Sequence, residues 1–151
     1  MKDEIHNSGR CEQKNQEMQE DLKMAREVHQ VFVSQGYPSF PRTATAGTSA
    51  LRFNHRYLPT SALGGDFFEI LQLSDTAAGV FICDVMGHGM RAALVTSIIR
   101  GLIDKYRDQA RAPDRLLAEI NRDLMTNLKT VNTTIFATAC YVVADATTGS
   151  G

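Results

Sequence analysis

The sequence is poor in several features that mark whole classes of protein. It has three cysteines, Cys11, Cys83 and Cys140, and neither a Cys-x-x-Cys pair nor a cluster of cysteine with histidine. This odd count argues against disulfides and zinc and favours buried, reduced thiols in a cytoplasmic protein. No apolar run approaches the ~20 residues that span a bilayer, and the polar N-terminus is unlike a signal peptide.

An excess of charge of one sign is also missing. Sixteen Lys and Arg residues stand against 17 Asp and Glu, for a net charge of −1. This balance argues against a nucleic-acid binder and against a polyanionic tail protein. Neither a GxGxxG segment nor a P-loop occurs, which argues against the common nucleotide folds. What remains is 151 residues with 43% hydrophobic content, enough for one domain with a core.

The N-terminal third predicts a helix in front of that domain. We expect a disordered tail at 1–10, an amphipathic linker helix at 11–35 and a loop at 36–50, because Gly36, Pro38 and Pro41 end the helix. A heptad seam with 4-3 spacing runs through Cys11, Asn15, Met18, Leu22, Ala25, His29 and Phe32. Two interpretations are open: the helix packs on its own domain, or residues 11–32 form a parallel homodimer seam.

The remainder, 51–151, predicts an α+β domain. Apolar residues alternate over 51–57, and further strands are expected at 67–73, directly after Asp66, at 80–85 and at 134–145, the last one apolar enough to be covered on both faces. Helices are expected at about 90–106 and from Pro113 onward, where a proline suits the first turn. Short turns between strands predict antiparallel pairing, and two consecutive helices predict a helical layer on the sheet.

Two aspartates are the best candidates for chemistry. Folding the hairpin about Thr76 places Asp84 opposite Phe68, two positions from Asp66, so both carboxylates lie at one end of the sheet. A cross-strand diagonal of ~7–8 Å suits carboxylates that share one cation or a pair of cations. Ligation by oxygen alone indicates Mg²⁺ or Mn²⁺. The alternative is that each aspartate forms a turn or caps a helix.

The segment that follows Asp84 is a second candidate. Gly87 and Gly89 permit positive φ and a close backbone approach to a metal or phosphate, and they also suit a plain strand-to-helix turn. His88 between them is either a proton shuttle or a solvent-facing loop residue. The helix that begins near Met90 directs its N-terminus at this loop, which favours an anionic ligand.

Together, LGGDFFEI (63–70) and DVMGHGMRAAL (84–94) resemble the SpoIIE-like branch of the PPM (type 2C, metal-dependent) serine/threonine phosphatases. DLKMAREVHQVFV (21–33) resembles the helix that precedes the catalytic domain in that branch, and the segments NRDLMTNL and TIFATACYVVADATTG follow in the family order. The resemblance covers roughly residues 20–149. It implies two antiparallel sheets packed face to face with helices outside, a PPM-like α/β-β/α sandwich.

The resemblance also implies a site and a reaction. Two Mn²⁺ or Mg²⁺ ions would activate a water that attacks the phosphorus of phosphoserine or phosphothreonine. Asp66 and Asp84 would be metal ligands, and Val85, where many relatives have glycine, would offer its backbone carbonyl. Typical substrates of the branch are phosphorylated STAS-type anti-sigma antagonists in partner-switching pathways, and an upstream sensor or receiver domain usually regulates activity.

One departure from the family pattern concerns the end of the chain. The family continues past the TTG turn with further strands, an AGHPP-like segment and a TDG-like segment that carry more metal-binding aspartates. We therefore expect 51–151 to be part of a larger phosphatase domain, cut after the strand that ends near Asp145, with weak or no activity by itself. A non-catalytic regulatory or dimerisation module, acting through the N-terminal helix, is the alternative function.

Overall fold

A computed structural model describes residues 2–33, 36–45, 47–58, 63–129 and 134–147. The chain divides into two compact units, Met1–Ser34 and Gln35–Gly151. The first unit is one helix, α1 (Lys2–Val33). Residues 2–10, predicted to be a disordered tail, are therefore helical. Gly9 thus lies inside a helix, where its cost is about 1 kcal/mol.

The second unit is built on a three-stranded antiparallel sheet. Its strands are β1 (Asp66–Gln72), β2 (Ala77–Val85) and β3 (Ala137–Asp145), in the spatial order β1-β2-β3. Both pairs are antiparallel, as predicted. The β2 and β3 ends are also joined through side chains, since Thr76 Oγ1 donates to Asp145 Oδ1 over 3.2 Å. The α+β class expected from the sequence is confirmed.

Helices cover one face of this sheet. They are α2 (Met90–Lys105) and α3 (Pro113–Leu128), linked by a short 3₁₀ turn at Arg107–Gln109. Apolar side chains of α2 and α3 pack on alternate residues of the strands, and the largest fully buried members of this core are Leu71, Phe81, Val85, Ile103 and Leu116. Both helices begin where the sequence predicts.

Tyr141 ties the covered face of the sheet to the helical layer. Its hydroxyl donates to the Ala110 carbonyl over 2.7 Å, between the 3₁₀ turn and α3. Burial raises the pKa of this phenol to about 12. The ring passes over Gly79, where an added Cβ would lie only 1.9 Å from the tyrosine oxygen. A glycine at 79 is therefore what lets the tyrosine reach across.

The opposite face of the sheet is open over β2 and β3 in the part of the chain that the structure describes. Ile82 and Val142 are 55% and 46% exposed there, and Cys140 is exposed between them. The prediction that β3 is covered on both faces is therefore wrong for these residues, because α2 and α3 lie on one side only. Cys83, on the covered face, is buried as expected, whereas Cys140 is not.

The alternating segment at 51–57 joins no strand ladder in the structure, contrary to prediction. Its aromatic side chains instead form a cluster with the loop before it and with β1. Phe53 contacts Tyr37 and Phe40 at ring-centroid distances of 6.2 and 5.9 Å, and His55 packs on Phe68 at 4.3 Å. The alternation marked an apolar face correctly, but aromatic side-chain packing satisfies that face without a ladder.

The β1–β2 turn differs in register from the prediction. Asp84 lies opposite Asp66, and Ile82 lies opposite Phe68, so the hairpin folds about Asp75. The Ser74 hydroxyl accepts hydrogen bonds from the backbone N–H groups of Thr76 and Ala77 at 3.3 and 3.0 Å. This serine-centred turn fixes the register. The shift moves Asp84 from a diagonal to a direct partner of Asp66.

Candidate functional site

Asp66 and Asp84 face each other across the first two strands. They are Cα partners at the start of β1 and near the end of β2, and both are exposed on the open face. The adjacent N–H of Val85 donates to the Gly65 carbonyl over 3.1 Å, so the 66/84 pair is of the closely spaced type, with Cα atoms about 4.5 Å apart. Two carboxylates are thereby held side by side.

Among the residues that the structure describes, neither Asp66 nor Asp84 takes part in a salt bridge. Burial, the nearby Asp84 carboxylate and a hydrogen bond with it together raise the pKa of Asp66 above its ordinary value. Burial and the charge of Asp66 likewise raise the pKa of Tyr57, whose hydroxyl donates to the Asp66 carbonyl at 3.4 Å. Negative charge concentrated at an exposed position is the electrostatic setting that attracts a cation.

Val85 and Gly65 are packed against each other beside the aspartates. A Cβ placed on Gly65 would lie 2.2 Å from the Val85 carbonyl oxygen, so only glycine fits. The side chain of Val85 is buried in the helix-covered core. The side chain of Val85 therefore points into the core, and only its backbone lies beside Gly65.

The Gly87-His88-Gly89 loop has the backbone that the glycines predict. Gly87 and Gly89 have φ of +91° and +78°, a region that disfavours other residues. The loop is tied on both sides: Met86 N–H donates to Phe136 O over 2.9 Å, and Gly89 N–H donates to Leu63 O over 3.0 Å. His88 is exposed, and α2 starts directly after Gly89.

A cavity of about 560 Å³ opens at the two aspartates. Asp66 and Asp84 line it together with residues of three further groups: the segment before β1, the first two strands, and β3 (His55, Arg56, Tyr57, Leu58, Phe67, Phe68, Ile82, Cys83, Thr138, Ala139, Cys140). Residues 87–89 are not among the lining residues. The sequence analysis missed the contribution of His55 and Tyr57. The available signal was their place on the apolar side of the 51–57 alternation.

The residues present fit a divalent cation in part. Two exposed carboxylates on adjacent strands, with a backbone carbonyl beside them, are oxygen donors of the kind that Mg²⁺ and Mn²⁺ prefer. Within the described ranges, no group of three or more His, Cys, Asp or Glu side chains is placed to hold a metal. This part of the chain therefore supplies two carboxylates of a site and leaves further coordination positions to water or other groups.

Comparison with known families decides the identity of the fold. The family model of the stage II sporulation protein E (SpoIIE) matches residues 74–150, about half of the chain. The chain belongs to the SpoIIE family. The match begins after β1, so it includes Asp84 and Val85 of this SpoIIE-family chain but not Asp66. For Asp66 the argument rests on the register that places it opposite Asp84.

Two curated relatives are similar to this SpoIIE-family chain. The phosphoserine phosphatase RsbP of Bacillus subtilis (strain 168) is 34% identical over 68 residues, 45% of this chain and 17% of RsbP. The phosphoserine phosphatase RsbU of the same organism is 25% identical over 126 residues, 83% of this chain and 34% of RsbU. The chain thus spans only a minor part of the length of each relative. Across the described ranges, no helix has the length and hydropathy to cross a membrane.

Proposed function

We propose that this chain is part of a metal-dependent serine/threonine phosphoprotein phosphatase of the PPM type. The observation that carries the proposal is the facing pair Asp66 and Asp84, two carboxylates held side by side at the mouth of a cavity. Membership of the SpoIIE family and similarity to two phosphoserine phosphatases support the same reaction. The proposed reaction is hydrolysis of a phosphoserine or phosphothreonine ester.

In this proposal each residue of the site has a defined task. Asp66 and Asp84 bind the cations, and the Val85 carbonyl is a further oxygen ligand. Two Mn²⁺ or Mg²⁺ ions, when bound, supply an activated water for in-line attack on phosphorus. Gly65 allows the Val85 backbone to lie against β1. Gly87, His88 and Gly89 do not line the cavity, and we assign their loop to the phosphate only because of its backbone, which has two positive φ values.

The substrate and setting follow from the family as proposals. We infer a phosphorylated protein of the STAS anti-sigma-antagonist type, acting in a bacterial partner-switching pathway in the cytoplasm. An upstream sensor or receiver domain would act through α1. No nucleic acid is expected as a partner, because the net charge is −1. The cavity is large enough to take a phosphorylated side chain together with a neighbouring residue.

The test is hydrolysis of p-nitrophenyl phosphate and of a phosphoserine peptide with Mn²⁺. We expect weak or no turnover by the 151-residue chain, and turnover by a version that continues past Gly151 in its native reading frame. Asp84→Ala in the longer version removes a metal ligand, so turnover should fall at least a hundredfold, about 3 kcal/mol of transition-state stabilisation.

The matched control is Asp75→Ala, because Asp75 is an exposed carboxylate at the turn on the opposite end of the same hairpin. This variant should keep the rate of the unchanged protein. Equal rates for Asp84→Ala and Asp75→Ala would exclude Asp84 as a ligand. A longer version with no Mn²⁺-dependent turnover of either substrate would contradict the phosphatase proposal itself.

A second candidate function, homodimerisation through α1, is supported by exposed apolar side chains. Met18, Met24 and Val28 are all more than half exposed on a 32-residue helix. Met18 lies on the heptad seam with Leu22 and Ala25, which are partly buried. Analytical ultracentrifugation of the chain with and without residues 1–33 tests this function. A dimer that becomes a monomer on removal supports the seam, and a monomer in both cases excludes it.

A further inference from the structure

We propose that Tyr57 is a positioning residue of the cation site, whose hydroxyl holds the first residue of β1 so that Asp66 faces Asp84. The inference rests on the proposed function and adds a residue to it. Tyr57 lies on the wall of the cavity together with both aspartates. Its phenol hydroxyl donates a hydrogen bond to the backbone carbonyl of Asp66 over 3.4 Å.

The backbone carbonyl of Asp66 points away from β2. The Val85 N–H donates to the Gly65 carbonyl over 3.1 Å, so Gly65 is the residue whose backbone faces β2. Backbone groups alternate in direction along a strand, and the carbonyl of Asp66 therefore points to the other side of β1. In the part of the chain that the structure describes, β1 is an edge strand of its sheet. The Tyr57 hydroxyl is thus the partner of a carbonyl that none of the described strands reaches.

Gly64 makes room for this hydroxyl. A Cβ added at Gly64 would lie 3.0 Å from Tyr57 Oη and would push the hydroxyl aside. The bond to Asp66 is already long for an O–H donor, so a small displacement breaks it. The backbone of Gly64 does not have a positive φ. Alanine therefore suits the backbone at this position, and contact with the hydroxyl is the main consequence of the substitution.

The phenol of Tyr57 remains a hydrogen-bond donor at neutral pH. Burial and the charge of Asp66 raise its pKa above the ordinary value for tyrosine. Because the charge of Asp66 acts on the phenol, the hydroxyl lies near the carboxylate as well as the backbone of this residue. A neutral hydroxyl can therefore hold Asp66 without adding a charge to the cation site.

Tyr141 provides a matched comparison on the helix-covered face of the sheet. Its hydroxyl is also bonded to a backbone carbonyl, that of Ala110, over 2.7 Å. This bond is shorter than the bond of Tyr57 and lies away from the cavity. Removal of the Tyr141 oxygen should therefore cost more stability, whereas only removal of the Tyr57 oxygen should weaken the binding of a cation.

Two phenylalanine variants of the 151-residue chain test this assignment. In Tyr57→Phe the Kd for Mn²⁺ should rise about fivefold, the scale of one lost hydrogen bond. The Tm without Mn²⁺ should fall less than in Tyr141→Phe. Tyr141→Phe should keep the Mn²⁺ affinity of the unchanged chain. Isothermal titration calorimetry gives the affinities, and differential scanning fluorimetry gives the Tm values.

Gly64→Ala tests whether Gly64 and Tyr57 act through one contact. Alone, it should also weaken Mn²⁺ binding about fivefold, because the added Cβ displaces the hydroxyl and the same hydrogen bond is lost. In the double variant Gly64→Ala/Tyr57→Phe the oxygen is already absent. The loss should then stay at about fivefold, whereas two independent effects would multiply to about 25-fold.

Hydrogen exchange of the metal-free chain tests the positioning role without a cation. The Val85 N–H, whose acceptor is the Gly65 carbonyl, should lose about fivefold of its protection in Tyr57→Phe, because the start of β1 is released. The Phe81 N–H, further along β2 and opposite Glu69, should keep its protection.

Several outcomes would overturn the proposal. These are an unchanged Mn²⁺ affinity in Tyr57→Phe, an equal loss of affinity in Tyr141→Phe, and a loss of about 25-fold in the double variant. Unchanged protection of the Val85 N–H in Tyr57→Phe would overturn it as well. If the unchanged chain binds no Mn²⁺, the cation site of the proposed function is rejected for this chain, and the exchange of the Val85 N–H then decides separately whether Tyr57 holds Asp66 in place.

Discussion

Strand β1 carries two acidic side chains, three residues apart, in opposite settings. Glu69 points to the helix-covered face, where it is buried between Arg100, at 3.5 Å from Nε to Oε2, and Arg107, at 3.7 Å. Asp66 points to the open face, where its neighbour is another carboxylate. Burial raises the pKa of Glu69, and its arginines oppose that rise. For Asp66, burial and Asp84 both raise the pKa.

The difference separates a structural charge, Glu69, from the charge that we propose to be functional, Asp66. A buried charge must be compensated inside the fold, because removal from water costs several kcal/mol per ion. Glu69 has that compensation from α2 and the 3₁₀ turn. An exposed pair of like charges is tolerated at a small cost in stability, and in the proposed function it is available to a cation from solution. Stability and binding are thus assigned to the two sides of one strand.

The largest expected effect on stability comes from Glu69, on the helix-covered face of the sheet. Glu69→Leu takes a carboxylate away from the buried guanidinium of Arg100, and the free energy of unfolding should fall by about 3 kcal/mol. Urea denaturation followed by circular dichroism measures this. The double variant Glu69→Leu/Arg100→Met replaces both charges with apolar groups and should recover most of the loss. A double variant as unstable as the single one would show that the pair is not what stabilises this face.

A smaller loss of stability is expected at Gly65, which packs against the Val85 backbone. Gly65→Ala places a Cβ against the Val85 carbonyl, so the strands must separate, and we expect a loss of about 2 kcal/mol. The control is Gly101→Ala on α2, where an added Cβ contacts nothing within 4 Å. The free energy of unfolding of Gly101→Ala should rise by up to about 1 kcal/mol, because alanine favours a helix. Thermal unfolding gives the change in Tm of each variant relative to the unchanged chain. Equal changes in the two variants would contradict the close approach of Gly65 to Val85.

The smallest effect on stability is expected on the open side. Asp84→Asn removes the repulsion of a directly opposite pair and should stabilise the metal-free chain by about 0.5 kcal/mol. It should also abolish the rise in Tm that Mn²⁺ gives the unchanged chain. Differential scanning fluorimetry with and without Mn²⁺ measures both. A variant that keeps the Mn²⁺ response would show that the cation binds elsewhere.

Asp66 and Asp84 also predict how the stability of the fold depends on pH. The pKa of Asp66 is raised in the folded state, so the folded chain holds its proton at a pH where the unfolded chain has lost it. Stability should therefore fall as pH rises from the ordinary carboxyl pKa through the raised one. Asp84→Asn should reduce this slope, since the opposing charge is gone. Denaturation midpoints across acidic pH test it, and identical slopes in both proteins would contradict the assignment.

The sequence predicts the helices and the sheet better than their environments. Apolar faces at helical spacing predicted α2 and α3, and apolar runs predicted the three strands of the sheet, because these patterns reflect local burial. Periodicity does not report which faces are covered, so β3 was expected to be buried on both sides. The register was missed by two residues, because the serine-centred turn at Ser74 moves the fold of the hairpin from Thr76 to Asp75.

The candidate site shows the same limit. Glycine-rich surroundings and strand ends predicted Asp66 and Asp84 as candidates, and the structure places them directly opposite each other. His55 could not be assigned to the site, since its approach to β1 depends on the packing of Tyr37 and Phe68 across a long sequence separation. Contacts of this kind leave no periodic trace in the sequence.

Gly79 and Tyr141 have a consequence for how this domain can change over evolution. The tyrosine reaches Ala110 only because the strand beside it has no side chain at 79. A larger residue at 79 is acceptable only if 141 becomes smaller, and a smaller residue at 141 abandons the link to the helices. The two positions are therefore expected to vary as a pair among relatives. Gly101, where an added Cβ contacts nothing within 4 Å, is expected to vary independently.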